Sequence, residues 1–184
     1  MKNTLQDSNE ESLLWYAMYA YKKEMTAQTE LDKEGIKNFI PMRYGIKERH
    51  GKKERVLVPA ISNLIFVYST KSVLSGFKLK NPYLQYIMQK TGANRKIITI
   101  PTKQMQEFIS IAEKYEENIT YYKPEEVNLA KGVKVRVHGG VFDGVEGTLL
   151  KVKGKRCKRI VISIPDVITI AATYIQPELI EILS

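Results

Sequence analysis

The chain has 184 residues, a net charge of +9 and 43% hydrophobic residues, enough apolar content for a packed core in one domain or two small ones, which excludes general disorder. No apolar run approaches the ~18 residues of a membrane-spanning helix, and the polar start Met1 to Glu11 lacks the apolar core of a secretory signal. A single cysteine, Cys157, excludes an internal disulfide and fits a reducing cytoplasm; with only His50 and His138 beside it in the whole sequence, no ordinary zinc site can form.

The positive charge is concentrated. From Lys37 to Lys96 only Glu48 and Glu54 oppose a long series of lysines and arginines, whereas glutamates dominate from Glu107 to Glu126. Such clustering favours a nucleic-acid-facing surface over generic solubility.

In chain order, Leu13 to Ala20 reads as a buried strand with aromatics on both faces: Trp15, Ala17 and Tyr19 on one, Tyr16 and Met18 on the other. Lys22 to Glu34 lacks proline and glycine, carries Met25, Ala27, Gln28 and Leu31 near helical spacing, and meets a stop at Gly35. Lys37 to Tyr44 reads as a second strand, with Pro41 towards an edge. Gly45 to Val58, two charged arms around Gly51, is a hairpin or flexible loop, either solvated or a basic finger touching phosphate.

Pro59 to Tyr68 is the most strand-like stretch of the chain. Alternation puts Ile61, Asn63, Ile65 and Val67 on one side and Ser62, Leu64, Phe66 and Tyr68 on the other, with large apolar groups on both. Two outcomes are open: a central strand covered on each face by its own chain, or a sheet with helices on one face and the other kept for a partner. Lys71 to Lys80 reads as a short helix ended by Asn81-Pro82. Tyr83 to Met88 and Lys96 to Ile100 read as extended, around a turn at Thr91 to Asn94. Thr102 N-caps a helix whose apolar stripe is Met105, Phe108, Ile109 and Ala112.

Asn118 to Ala130 has little core pattern and reads as a linker. Beyond it Val133 to Val137, Val145 to Val152, Arg159 to Ile164 and Val167 to Tyr174 are dense short strands, the signature of a small β-barrel. The expected organisation is a polar tail (1–11), a first domain (12–117), a linker (118–129) and a second domain (130–184). The first domain's β-α-β-β-α-β order with a final helix gives an α+β protein, a ferredoxin-like α/β sandwich. Helices on one face of its sheet would leave Leu64 and Phe66 looking outward as an apolar interaction surface.

On these residues the chain resembles the NusG family of transcription elongation factors. Trp15-Tyr16 sits at the position of the family's first strand and Phe39-Ile40-Pro41 follows its first helix. Ile61 to Val67 is similar to the family's Phe-Pro-Gly-Tyr or Phe-Pro-Asn-Tyr segment and the apolar run after it. Ile61, Ser62 and Leu64 depart from that pattern, and Asn63 suits specialised paralogues. Val133 to Gly147 is similar to a KOW motif, a strand, glycine-rich turn and return strand in which Gly140, Gly144 and Gly147 permit positive φ or close backbone approach. The resemblance implies a NusG-type first domain and an SH3-like KOW barrel.

It further implies docking on the clamp helices of RNA polymerase's largest subunit through Tyr19, Leu64 and Phe66, with a gate-loop contact near Ser75 and Gly76, where the family's polar triplet is missing. Bridging the cleft would hold the clamp closed and suppress pausing and termination. Lys47, Arg49, Lys52, Lys53 and Arg55 would touch upstream DNA or nascent RNA through phosphates, which position without specifying sequence. Phe142 would meet Rho or a ribosomal protein, or else plug the barrel end. Asn63, the N-terminal extension and the basicity resemble the UpxY-like antiterminators of capsular polysaccharide operons.

Lys151, Lys153, Lys155, Arg156, Lys158 and Arg159 form a basic turn, solvated or touching RNA, with Cys157 among them in no catalytic role. Val161 to Ile164 and Val167 to Ile170 are rich in β-branched residues, which favours strands over the helical hairpin some family members form. No catalytic constellation, metal motif or cofactor loop is visible. The expectation is a monomeric cytoplasmic protein that is not an enzyme, needs no cofactor or metal and binds no membrane. The alternative is a KOW-containing RNA-binding module of ribosomal or translational type.

Overall fold

The computed structural model describes residues 12–91, 94–114, 119–122, 126, 128–151, 156–164, 167–171 and 175–183. Two units divide the chain: Met1–Pro41 with Ile61–Thr102, and Met42–Ala60 with Lys103–Ser184. The first holds β1 (Leu14–Tyr19), α1 (Glu24–Lys33), β2 (Asn38–Phe39), β5 (Leu64–Ser69), α2 (Lys71–Lys80), β6 (Gln85–Tyr86), β7 (Met88–Thr91), β8 (Asn94–Ile97) and β9 (Thr99–Ile100). The second holds β3 (Met42–Arg49), β4 (Lys52–Pro59), α3 (Thr102–Ala112, whose first residue lies in the first unit), β10 (Thr120–Tyr122), β11 (Val133–Val137), β12 (Glu146–Leu150), β13 (Arg159–Ile164), β14 (Ile168–Ala171) and β15 (Ile180–Ile182).

In the first unit β5 and β1 pair antiparallel along their whole length, from Leu14 opposite Ser69 to Tyr19 opposite Leu64. β2 takes the outer edge of β5 with Phe39 opposite Phe66. β6 and β9 share the far edge of β1, β6 along Met18 and Tyr19 and β9 along Trp15 and Tyr16. Between them the Ile87 N–H donates to the Ala17 carbonyl at 3.0 Å, so the edge stays satisfied across the gap. The expected turn region between β7 and β8 pairs at Thr91 and Asn94; Gly92 and Ala93 lie outside the described residues.

Both faces of this sheet are covered. Trp15, Ala17, Leu64 and Phe66 on one face and Tyr16, Met18, Ile65 and Val67 on the other are all buried. Of the two outcomes open for the central strand, the covered one holds. Leu64 and Phe66, expected to look outward, are 3% and 0% exposed, which corrects that reading: alternation assigns a face but not what covers it.

Specific hydrogen bonds close two helix ends, while Thr102, expected as an N-cap, is the first residue of α3 itself. α1 closes in a Schellman motif, with the Gly35 N–H donating to Asp32 O at 3.0 Å and Ile36 N–H to Leu31 O at 2.9 Å; Gly35 takes φ +67. The Thr70 hydroxyl caps α2 by accepting from the Val73 N–H at 3.2 Å. α3 buries Met105, Phe108, Ile111 and Ala112; Ile111 thus replaces the expected Ile109, which is half-buried.

The expected strand Lys37 to Tyr44 divides. β2 stays with the first sheet, while the chain breaks at buried Ile40 and Pro41, where proline has no N–H for a ladder, and re-enters as β3 of a separate hairpin. In the second unit six antiparallel strands run in the order β10-β14-β13-β12-β11-β15. Val161 to Ile164 and Ile168 to Ile170 are paired strands. The expected linker carries β10, with Thr120 to Tyr122 paired to Thr169 to Ala171.

Gly147 and Gly132 serve packing rather than conformation. A Cβ at Gly147 would lie 2.7 Å from Ile160 Cγ2, and one at Gly132 would lie 2.2 Å from Thr148 Cγ2. α3 joins this sheet through Gln104, whose side chain donates to Ser163 O at 2.7 Å. The adjoining cleft of about 530 Å³ is lined by Gln104, Glu107, Lys134 and Glu146, among others. There burial raises the Glu107 carboxyl above its ordinary value, opposed by Lys103. Among the described residues no helix is long and apolar enough to cross a membrane.

Three glycines separate conformation from packing. Gly35→Ala should cost about 1–2 kcal/mol through the left-handed backbone. Gly147→Ala should cost about 1–3 kcal/mol through overpacking. Gly76→Ala, exposed within α2 with nothing within 4 Å of its Cβ position, should stabilise by about 0.5–1 kcal/mol. Denaturant unfolding of the three variants measures all of this. Glu107 supplies a pH signature. A raised folded-state value favours the protonated form, so its contribution is present at low pH and lost as pH rises through that value. Glu107→Gln should therefore stabilise at neutral pH, with the advantage shrinking on acidification.

Candidate polymerase and nucleic-acid interface

The entry to β5 is held by one side chain. Asn63 has φ +71, and the chain leaves β1 through Tyr21 at φ +44 and Lys22 at φ +64. Few L residues accept this region, and asparagine is among those that do. Asn63 then ties three segments together. Its carbonyl accepts from the Ala20 N–H at 2.8 Å, and its side-chain oxygen accepts from the Lys22 N–H at 2.6 Å. Its own N–H donates to the carboxylate of Glu24, which is buried in the first turn of α1, where the helix dipole favours an anion.

This clasp fixes an exposed aromatic pair. Tyr19 is 46% and Tyr21 60% exposed, with ring centroids 6.3 Å apart, and Met25 on α1 is also exposed. Of the three residues expected to form the apolar docking surface, only Tyr19 reaches solvent. Leu64 lies opposite it in the ladder and Phe66 opposite Ala17, both on the same face of the sheet as Tyr19 but buried. Ser75 and Gly76 are both exposed on α2. Sequence reasoning missed Tyr21 and Glu24; an acid a few residues past the end of an aromatic strand was the available signal.

The expected basic finger is an ordered hairpin. β3 and β4 pair without a break from Met42 opposite Pro59 to Arg49 opposite Lys52. The two-residue loop His50-Gly51 has positive φ at both positions, 51 and 74, as in the type I′ turn that matches strand twist. Lys47, Arg49, Lys52, Lys53 and Arg55 are all exposed. Direct partners share a face, so Lys47, Arg49 and Lys52 lie on one side with Arg43, and Lys53 and Arg55 on the other with Tyr44, Ile46 and Leu57. Among the described residues no ion pair holds any of these cations.

In the second unit Phe142 is 3% exposed at the end of a short turn of 3-10 helix, Gly140–Phe142. Of the two readings open for Phe142, burial agrees with the internal plug and corrects the presented aromatic; Val141, 54% exposed, is what the turn shows to solvent. Gly139, Gly140 and Gly144 all have positive φ there, and the Gly139 N–H donates to the Asp143 carboxylate. Cys157 is exposed, whereas Lys153 and Lys155 of the basic turn lie outside the described residues. Among the described residues no group of acidic, histidine or cysteine side chains is placed to hold a metal ion.

A family model described as "Transcription termination factor nusG" matches residues 13–109, more than half of the chain. The chain belongs to the NusG family. Membership places it among transcription elongation and antitermination factors, which work with RNA polymerase. The solved structure described as "Domain interaction in Thermotoga maritima NusG" aligns over 94% of this chain and 98% of its own, with 18% identity and a TM-score of 0.45. No curated protein matches the chain. The matched NusG segment contains the whole Asn63 clasp and the basic hairpin. At φ +71 the position of Asn63 accepts Asn or Gly and strains most other residues.

Asn63→Gly should keep the backbone and lose one acceptor, costing about 1 kcal/mol. Asn63→Val should cost about 1–3 kcal/mol more, because a β-branched residue is strained there. Thermal unfolding of the two variants separates conformation from hydrogen bonding.

Proposed function

We propose that this NusG-family protein is a specialised antitermination factor that docks on the clamp helices of RNA polymerase, bridges the cleft and suppresses pausing and termination. The observation that carries the docking is the exposed Tyr19–Tyr21 pair held on a rigid, hydrogen-bonded turn. Aromatic anchors on a preformed surface are what helix-in-groove recognition uses, and they cost little entropy on binding. Leu64 and Phe66, buried on the same face of the sheet, anchor the strand pair that carries Tyr19. Ser75 and Gly76 offer a small, exposed second contact for the gate loop.

The β3–β4 hairpin contributes phosphate contacts to upstream DNA or nascent RNA through Lys47, Arg49, Lys52, Lys53 and Arg55, holding the complex without reading sequence. The Val133 to Gly147 segment, in its KOW role, engages Rho or a ribosomal protein through the face that shows Val141, with Phe142 as internal support. Asn63 and the strong basicity support a place near the UpxY-like antiterminators of polysaccharide operons, acting in the cytoplasm as a monomer. The mechanism needs no bond-making, cofactor or metal: the chain's work is to occupy and brace.

Pull-down of the full chain by core RNA polymerase without nucleic acid tests the docking. Tyr19→Asp with Tyr21→Asp should reduce affinity by about 30-fold or more, the scale of a hot-spot deletion, with the fold unchanged by circular dichroism. Retention of the double variant at wild-type strength, or binding that requires RNA, would contradict the proposal. In single-round transcription the wild type should shorten pauses and raise read-through, and the double variant should do neither.

A further inference from the structure

The hairpin's two faces differ in a way that a purely electrostatic role leaves unused. One face is cationic: Arg43, Lys47, Arg49 and Lys52 with Glu54 as the only acid. The other is a platform. The Arg55 guanidinium lies 3.7 Å from the centroid of the Tyr44 ring; Ile46, directly opposite Arg55, is 75% exposed, and Leu57, directly opposite Tyr44, is 40% exposed. Exposed apolar side chains on a hairpin of this charge are unexpected for a solvated edge, because contact with duplex phosphates asks only for cations. A guanidinium laid over an aromatic ring presents a planar, cationic upper surface, on which a nucleobase stacks.

We infer that the β3–β4 hairpin is a single-strand clamp: its Arg55–Tyr44 platform, flanked by Ile46 and Leu57, takes unpaired bases while the opposite face and the tip follow the phosphates. The occupant is a single-stranded polynucleotide. Charge complementarity argues for a polyanion, and the apolar platform argues for one whose base faces are free, which a duplex does not offer. Stacking and phosphate contacts read neither base edges nor the sugar, so DNA and RNA strands should bind alike and with little sequence preference. This rests on the reading of the hairpin as a nucleic-acid contact and names the form of nucleic acid it takes.

Fluorescence anisotropy of the full chain with labelled DNA and RNA strands of about 12 nucleotides, and with a duplex of the same sequence, provides the test. The wild type should bind both single strands comparably and more tightly than the duplex. Arg55→Lys keeps the charge but removes the plane, and Ile46→Thr keeps a β-branched strand residue but removes apolar surface. Each should weaken single-strand binding by roughly fivefold or more and duplex binding by less, and Ile46→Thr, which removes no charge, should leave duplex binding near wild type. Lys47→Gln with Arg49→Gln should weaken both and flatten the salt dependence by about one unit for each phosphate left without its cation. Equal weakening on strand and duplex from Arg55→Lys and Ile46→Thr, or a wild-type preference for duplex, would overturn the single-strand assignment. Unchanged binding of every nucleic acid by the Lys47/Arg49 variant would overturn the underlying nucleic-acid reading instead. Self-association through the platform, seen as a dimer in sedimentation that Ile46→Thr dissolves, would also overturn it.

Discussion

The first unit depends on the antiparallel pairing of β1 with β5, and that pairing depends on how the chain enters it. Six residues of each strand are opposed without a bulge, which places an aromatic or aliphatic side chain at nearly every position of both faces. A slip of one residue would reverse both faces at once. Asn63 sets the register at one end, because its carbonyl, side chain and N–H each take a partner from the Ala20 to Glu24 turn. Strain at Tyr21, Lys22 and Asn63 is offset by those bonds, and the outcome is a rigid corner from which Tyr19 and Tyr21 project.

For the proposed docking that corner matters, because binding surfaces gain from preorganisation. Two tyrosines on a mobile loop would lose rotamer and backbone freedom when a partner docks. Held as they are, they give up little. On the face that carries Tyr19, Leu64 and Phe66 are buried and tie its strand into the core. The same economy applies to the hairpin, whose type I′ turn and uninterrupted ladder keep a strongly cationic element ordered despite its self-repulsion.

Much of this was legible from residue order. Alternation in Leu13 to Ala20 and in Pro59 to Tyr68 marked the central strands, although β5 begins only at Leu64 and Pro59 ends β4. Gly35 and Asn81-Pro82 marked helix ends, through a left-handed C-terminal residue and a steric limit, whereas the Thr70 cap of α2 went unread. The family resemblance rested on segments that the NusG match covers, together with the glycine turn beyond it. What failed was what covers a face. Leu64 and Phe66 differ from an exposed apolar patch only through long-range topology, which period-two patterning does not contain. The Ile109–Ile111 exchange failed for the same reason, and the choice between the two readings of Phe142 stayed open for it. Thr120 to Tyr122 was hidden because a short edge strand needs little apolar content. The hairpin was one of two readings of Gly45 to Val58, undecided because His50-Gly51 is a weaker turn signal than Asn-Gly. The platform was hidden because Tyr44 and Arg55 meet across strands, eleven positions apart in sequence.

Hydroxyl-radical footprinting of the full chain, alone and bound to core RNA polymerase without nucleic acid, examines the central claim at the side chains themselves. Oxidation of Tyr19, Tyr21 and Met25 should fall sharply in the complex while the exposed Val133 and Ile182 of the second unit stay as reactive as before. Undiminished oxidation of the two tyrosines in a saturated complex would contradict the docking of this corner on polymerase.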